Sequence, residues 1–236
     1  MTSEGKMKRQ VARCCTLLML IGATGSLGRA QFAHPDLKSG KVAIHKVLIM
    51  PPEASITKSG MKGNDTLTAE SRMVEGALPG ILAAAFRTKG CTVLDDIFAT
   101  DALDKNPDLK YAVADIQTHY DDLRKHLDGK PKDVTKGRFT MGDEVLNFNP
   151  GASADALVFV RAGGVVNTGG KKVFGALVAG TPEVDFILVN IAVVDSQSGA
   201  VLYYGRSVTT GGYLEHTDRM TKPIEGSLKD WKVGKK

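Results

Sequence analysis

Four polar residues with helical spacing come closest to a metal-binding pattern. Asp115, His119, Asp122 and His126 are separated by four, three and four residues, which places them in one column on a helix surface. Imidazole and carboxylate groups are ligands of zinc, but His119 and His126 lie about 10.5 Å apart along a helix that rises about 1.5 Å per residue. One ion would take only two ligands from this helix, so we expect a solvated helix flank and no metal site.

Two adjacent acids, Asp95 and Asp96, follow a short apolar segment, 91–94, that predicts a strand. Many α/β proteins place active sites where strands end. Adjacent side chains of an extended chain point to opposite sides, so these two carboxyls are a poor acid–base pair by themselves. We therefore expect no enzyme. A secreted hydrolase that uses Asp95 and Asp96, or the helix face of His119 and His126, is the alternative.

The third candidate is a glycine-rich connection, Gly163–Pro182, between two apolar segments. Its first part resembles a phosphate-binding loop, but no lysine directly follows the second glycine, and we expect no cofactor. Long irregular connections in compact domains are often binding loops. The cationic Lys171 and Lys172 beside the apolar Phe174 and Leu177 predict a contact with a partner. The alternative is a short edge strand whose apolar side chains belong to the core.

The amino-terminal residues have the pattern of a cleavable secretory signal peptide. Basic residues come first, an apolar segment covers 14–23, and small residues at 28 and 30 end it. The apolar segment is shorter than the roughly 20 residues that cross a bilayer. No other apolar segment of the chain is long enough to form a membrane helix. Cys14 and Cys15 precede this segment instead of ending it, so we expect no lipid anchor. We predict cleavage after Ala30 and a periplasmic or secreted protein.

Mass spectrometry of the exported protein should find Gln31 at its amino terminus, because the small residues before it fit signal peptidase. A protein that retains Met1 in the cytoplasm would contradict both the cleavage site and the export.

Loss of residues 1–30 changes the charge balance of the chain. The full sequence has 31 basic and 26 acidic residues. Five bases and one acid lie in the first 30 residues, so 26 bases and 25 acids remain. This near-neutral balance does not indicate nucleic-acid binding. Cys91 is the one cysteine left, so no internal disulfide can form, and its apolar neighbours favour a buried side chain over a reactive thiol.

Apolar runs bounded by turn residues predict the main strands. They cover 41–50 and 154–160, and the second run is apolar enough for burial on both faces. Asp185–Val194 and Ala200–Tyr204 flank a turn sequence that ends in Gly199. We expect these two segments to form a β-hairpin in which this glycine takes a positive φ.

Helical spacing of apolar residues predicts two main helices, over 68–86 and 106–129. Pro79 lies inside the first pattern and predicts a kink or a break. The polar segments 51–67 and 129–153 are expected to be loops. The fold class is therefore α/β (α+β): a single mixed sheet flanked by two main helices and ending in a long β-hairpin.

The predicted organisation has three parts. A signal peptide (1–30) precedes one α/β domain (31–215), and a basic carboxy-terminal tail (216–236) contains one short helix. The length of the middle part suits a single domain with an adequate core.

Three segments resemble a group of bacterial envelope proteins: the curli-secretion lipoprotein (CsgG), the outer-membrane activators of peptidoglycan synthases (LpoB) and the amino-terminal domain of TolB. The segments are the strand Val47–Pro51 before a long helix, the strand Ala154–Val160, and the hairpin Val189–Leu202 with a Ser before its turn glycine. The resemblance covers most of residues 42–210. It implies a non-catalytic periplasmic or outer-membrane-associated protein that works through an envelope protein partner or self-association.

A curli-type secretion channel subunit is a further alternative that this resemblance raises. The segment that corresponds to membrane strands in the curli channel, 164–181, lacks the alternation over about 10 residues that a spanning strand needs. Pore formation is therefore not expected.

Overall fold

The computed structural model describes residues 30–60, 63–94, 96–98, 100–148, 150, 153–167 and 184–231. The signal peptide before Ala30 lies outside the described residues. So do Asp95 and the four residues of the predicted partner contact, Lys171, Lys172, Phe174 and Leu177.

The described residues form one mixed α/β sheet of eight strands with several helices, which confirms the predicted fold class. The strands are β1 (Ala30–Ala33), β2 (Lys46–Ile49), β3 (Glu53–Gly60), β4 (Gly63–Thr66), β5 (Thr92–Val93), β6 (Ala156–Asn167), β7 (Phe186–Asp195) and β8 (Val201–Thr210). The helices are α1 (Pro35–Ser39), α2 (Thr68–Thr88), α3 (Thr100–Lys105), α4 (Pro107–Gly129), α5 (Asp143–Leu146) and α6 (Thr221–Ser227). The strand order is β1-β8-β7-β6-β2-β5, and β3 pairs with both β6 and β4.

The predicted hairpin is present as β7 and β8, which pair antiparallel along nearly their full length. Gly199 has the expected positive φ, 68°. Asp195 organises the turn, because its Oδ1 accepts hydrogen bonds from the backbone N–H groups of Gln197 (2.9 Å) and Ser198 (2.7 Å). Local turn chemistry therefore fixes this connection, as the sequence indicated.

Strand β6 is longer than predicted, because it continues to Asn167. The expectation of an irregular segment from Gly163 onward is wrong for these first residues. They pair with β3 on one side and β7 on the other. At Gly164 the absence of a side chain is required, since a Cβ would lie 2.7 Å from the Tyr213 hydroxyl and 2.8 Å from Ile56 Cδ1.

The predicted polar loop over 51–67 is also wrong, because this segment contains β3 and β4. β4 pairs with β3, which in turn pairs in parallel with β6. In β3, Ile56 and Ser59 are buried, whereas the other described side chains are half-buried or exposed. A strand that buries so few side chains has no apolar run, so hydropathy alone could not reveal it.

Helices α2 and α4 cover opposite faces of the sheet, and each has its own core. α2 buries Val74, Leu78, Leu82 and Phe86 with one face of the sheet. Of the kink or break that the sequence predicts at Pro79, a break is wrong, because the helix runs through Pro79 to Thr88. The exposed proline loses one intrahelical hydrogen bond, while the buried stripe holds the helix to the sheet on both sides of it.

Helix α4 begins and ends where the sequence predicts, from its cap to its last residue. Asn106 accepts a hydrogen bond from the Leu109 N–H at 3.0 Å, as a helix cap does. Val113, Ile116, Tyr120 and Leu127 are buried against the second face of the sheet.

The residues that follow β8 also pack on the sheet. α6 contributes Ile224 to the α2-side core. Trp231 is 3 % exposed and makes edge-to-face contacts with Phe86 and Tyr203, each at 5.6 Å between ring centroids. Cys91 lies in the same core, and burial raises the pKa of its thiol, which confirms the expected buried cysteine. None of the helices in the described ranges combines the length and hydropathy that crossing a membrane requires.

Candidate functional site

Four polar residues form a row across neighbouring strands, which we call the charged row: Glu53, Arg161, Asn190 and Arg206. The register pairs Glu53 with Arg161, Arg161 with Asn190, and Asn190 with Arg206. The end of α4 lies over this row and contributes a second set of charges, Asp121, Arg124 and Asp128. Three guanidinium groups therefore meet three carboxyl groups at one level of the sheet.

Arg161 is the most deeply buried member of the charged row, at 6 % exposed. Its Nε donates to Asp121 Oδ1 at 2.9 Å, and its Nη2 lies 3.3 Å from Glu53 Oε1. Its Nη1 donates to its neighbour's backbone, the Val160 carbonyl, at 3.1 Å. The guanidinium also lies 5.2 Å from the ring centre of Tyr120. It is thus fully paired, as a buried charge must be.

Arg206 and Asp128 form the other end of the cluster. Arg206 Nη2 donates to Asp128 Oδ1 at 2.6 Å, and the hydroxyl of Tyr204 donates to the same carboxylate. Arg124 Nη1 donates to Asp128 Oδ2 at 3.2 Å. Desolvation raises the pKa of Tyr204 well above its usual range, so this hydroxyl remains a donor at any physiological pH.

Glu53 lies at the outer end of the charged row, and burial raises the pKa of its carboxyl. The positive charge of Arg161 acts in the opposite direction, while the nearby carboxylates of Asp121 and Glu75 raise the pKa further. The carboxyl therefore loses part of its preference for the charged form in the folded protein.

A cavity of about 400 Å³ opens between the charged row and α4. Its lining includes the charged row, the three α4 residues, and Ala162, Gly163 and Leu188. Three buried polar atoms of the lining residues, Arg124 Nε, Asn190 Oδ1 and Arg206 Nε, have no hydrogen-bond partner among the described residues. Buried polar atoms are usually paired, so this cavity stands out chemically.

Beyond the charged row, two further rows of the sheet are not covered by any described helix; we call them the open face. Their members are all half-buried or exposed: Ser55, Gly163, Leu188, Val208, Thr57, Val165, Phe186 and Thr210. Phe186 is 38 % exposed. In the rows of the sheet that α4 covers, both faces are therefore buried, whereas in the rows of the open face only one face is buried.

A second cavity, of about 640 Å³, lies at the carboxyl end of β2. β2 lies between β5 and β6 and pairs in parallel with both, and α/β sheets commonly bind ligands at the carboxyl ends of parallel strands. The walls of this second cavity include Pro51, Gly76, Gly80 and Phe98. The lining of this second cavity combines apolar residues with the charged Glu75, Arg87, Asp104 and Lys110, and none of its described lining residues has a buried polar atom without a partner.

The helical column of acids and histidines does not act as one unit. His119 Nε2 lies 3.8 Å from Asp115 Oδ1 and 3.4 Å from Glu144 Oε2 of α5. Asp122 instead pairs with Lys125 at 2.7 Å. Ligand atoms of Asp115, His119 and Glu144 lie within 4.8 Å of one another and could hold a divalent cation, but all three side chains are at least 40 % exposed.

The other predicted candidate, Asp96, begins a short 3₁₀ helix (Asp96–Phe98) after β5. The charged row was missed because its members are distant in sequence. One signal was present: Arg161 and Asn190 are polar residues within apolar strands, where an unpaired polar group is costly.

No protein-family model matches the sequence, and no curated protein is detectably similar to it. One similar structure is a PelC dodecamer from Paraburkholderia phytofirmans, with a TM-score of 0.41 and 12 % identity, covering 87 % of this chain and 98 % of that chain. Lipoprotein GNA1162 from Neisseria meningitidis has a TM-score of 0.34 and 12 % identity, over 71 % of this chain and 81 % of its own.

The carboxy-terminal domain of LpoB from Salmonella enterica, with a TM-score of 0.30 and 11 % identity, covers 76 % of this chain and 96 % of its own. LpoB is one of the envelope proteins that the sequence resembles. These structural neighbours are bacterial envelope-type proteins.

Proposed function

We propose that this chain is a non-catalytic, exported protein of the bacterial cell envelope that acts by binding a protein partner or further copies of itself. The observation that supports this proposal is the open face. Leu188, Val208, Val165 and Phe186 are partly exposed on a sheet face that no described helix covers, and exposed apolar surfaces mark interaction sites.

The edge of the sheet beside the open face supports the same proposal. β1 pairs with β8 only over Tyr203–Arg206. No described strand pairs with the outer edge of β8 beyond Arg206, which leaves backbone groups available for an added strand. A second copy of the chain or an extended segment of a partner fits such an edge.

The connection that precedes β7 belongs to the proposed surface. β6 ends at Asn167, and β7 begins at Phe186, so the connection starts and ends beside the open face. Lys171, Lys172, Phe174 and Leu177 lie on this connection, and we include them in the proposed contact. Cationic and apolar groups together suit a partner surface with acidic and apolar residues.

Replacement of both Phe186 and Val208 by Ser should abolish recovery of the crosslinked partner or oligomer from the native envelope, with a change in melting temperature of no more than a few degrees. The reason is that both side chains are partly exposed, so their loss removes contact area from the outside of the core. Chemical crosslinking and thermal unfolding are measured on the same variants.

Tyr111→Ser is the matched control, because Tyr111 is an exposed aromatic side chain (75 %) on α4. It should retain full recovery. The parallel variant Phe174→Ser with Leu177→Ser should lose recovery if the connection takes part. Unchanged recovery in the Phe186 and Val208 variant, or a large fall in its melting temperature, would contradict binding through the open face.

A further inference from the structure

Asp115, His119 and Glu144 bring three metal-ligating groups together where α4 meets α5, and we call them the α4–α5 cluster. His119 Nε2 lies 3.4 Å from Glu144 Oε2 and 3.8 Å from Asp115 Oδ1. All three ligand atoms lie within 4.8 Å of one another. Zinc bonds of about 2.0–2.2 Å place the ligands of a tetrahedral site about 3.4 Å apart. Small rotations of these side chains therefore bring the three atoms to the spacing of a zinc site.

The third group of the cluster comes from outside α4, and the core holds it in place. The spacing of residues along α4 offers one ion only two ligands, and Glu144 of α5 supplies another. Its neighbours Val145 and Phe148 are buried in the same core as Ile116 and Tyr120 of α4. The two backbone segments that carry the ligands are thus fixed relative to each other, so binding of an ion does not require a loop to become ordered.

The charges around the cluster also indicate a cation. Toward the end of α4, three aspartates each form an ion pair with Arg124 or Lys125. Asp115 and Glu144 differ, because among the described residues their ion-pair contacts are with the imidazole of His119 and with no Lys or Arg. Two neighbouring carboxylates repel each other. A divalent cation between them removes this repulsion and accepts the lone pair of the imidazole.

We propose that the α4–α5 cluster binds one Zn²⁺ ion, which fastens α5 to α4. Asp115, His119 and Glu144 each provide one ligand, and water takes the fourth position, as in other zinc sites with three protein ligands. One imidazole nitrogen with two carboxylate oxygens favours zinc over Ca²⁺ and Mg²⁺, which prefer oxygen ligands alone. This site goes beyond the proposed protein contact, because none of its residues belongs to the open face.

The test is isothermal titration calorimetry of the purified chain with ZnCl₂, after treatment with EDTA and removal of the chelator. One ion should bind per chain with a micromolar dissociation constant, weaker than at sites with four protein ligands. Because the ligands come together only in the folded chain, zinc should also raise the melting temperature by several degrees. MgCl₂ and CaCl₂ at the same concentration should produce neither effect.

The deciding variants are His119→Gln and Glu144→Gln, which each remove one ligand and change the size of the side chain little. Each should weaken zinc binding by about tenfold or more. Without zinc their melting temperatures should match that of the unaltered protein, because both side chains are at least 40 % exposed. His126→Gln is the matched control, since His126 is an exposed histidine on the same helix, and it should bind zinc as the unaltered protein does.

Three results would overturn the proposal: no saturable binding of zinc, equal affinity for Ca²⁺, or an equal loss of affinity in His126→Gln and His119→Gln. The last result would show that zinc binds to exposed histidines in general. Loss of zinc binding in Glu144→Gln with intact recovery of the crosslinked partner would support a zinc site that is separate from the protein contact.

Discussion

Gly199→Val should destabilise the protein by about 3 kcal/mol or more, because the backbone conformation and the available space both exclude a side chain. The φ of Gly199 is 68°, where a β-branched residue is strained. A Cβ would also lie 2.6 Å from the backbone oxygen and 2.7 Å from the backbone nitrogen of Gly142. At about 2–4 °C per kcal/mol for a chain of this size, the melting temperature should fall by roughly 6–12 °C.

Two controls separate the causes. Gly211 has a similar φ, 65°, but a Cβ there would meet nothing within 4 Å, so Gly211→Val should show the conformational cost alone, about 1–2 kcal/mol. Gln197 lies in the same hairpin turn as Gly199 but is exposed, so Gln197→Ala should leave the melting temperature nearly unchanged. Equal losses of stability in Gly199→Val and Gly211→Val would show that the contact with Gly142 contributes nothing to the destabilisation.

Arg161→Met should destabilise the protein by about 2–3 kcal/mol at neutral pH. The methionine retains most of the apolar contact with Tyr120, but Asp121 loses its 2.9 Å hydrogen bond and Glu53 its nearest positive charge. Urea unfolding at pH 7.5 measures the loss. Arg138→Met is the matched control, because Arg138 is 63 % exposed and 3.8 Å from Asp133, and surface pairs contribute at most about 1 kcal/mol.

The effect of Arg161→Met should decrease in acid. Burial already raises the pKa of Glu53, and Arg161 opposes this rise more strongly than Arg124 does. Without Arg161 the pKa of Glu53 rises further. The protonated Glu53 carboxyl then stabilises the folded variant at low pH, and this stabilisation is lost as the pH rises through the raised pKa. Unfolding at pH 4.5 should therefore show a smaller difference between variant and unaltered protein than at pH 7.5. An equal or larger difference in acid would contradict the role assigned to Glu53.

Local sequence was sufficient for the elements whose signals are local. Asn106 caps α4 through the N–H three residues later, and Asp195 and Gly199 define the β7–β8 turn within five residues. The apolar run of β6 indicated burial on both faces, and Ala156–Val160 are fully buried. In each case the determining interaction involves neighbours in sequence or simple burial, so the pattern of residue types predicts it.

Elements stabilised by distant partners were not predictable. β3 and β4 carry polar residues, and their strand structure comes from pairing of β3 with β6 more than 100 residues later. Pro79 should interrupt a helix by local rules, yet α2 continues because Val74 and Leu82, on either side of it, are held in the core. Tertiary burial outweighs a local preference of a few kcal/mol.

The residues of the candidate site also divide into features that the sequence determines and features that depend on the tertiary structure. The sequence determined the types of residue available, including a buried-strand arginine at 161 and a buried-strand asparagine at 190. Only the tertiary structure decided that they stand in one row with Arg206 beneath Asp121 and Asp128. Strand register and the position of α4 set this row, and both depend on packing between segments that are distant in sequence, which spacing along the chain does not encode.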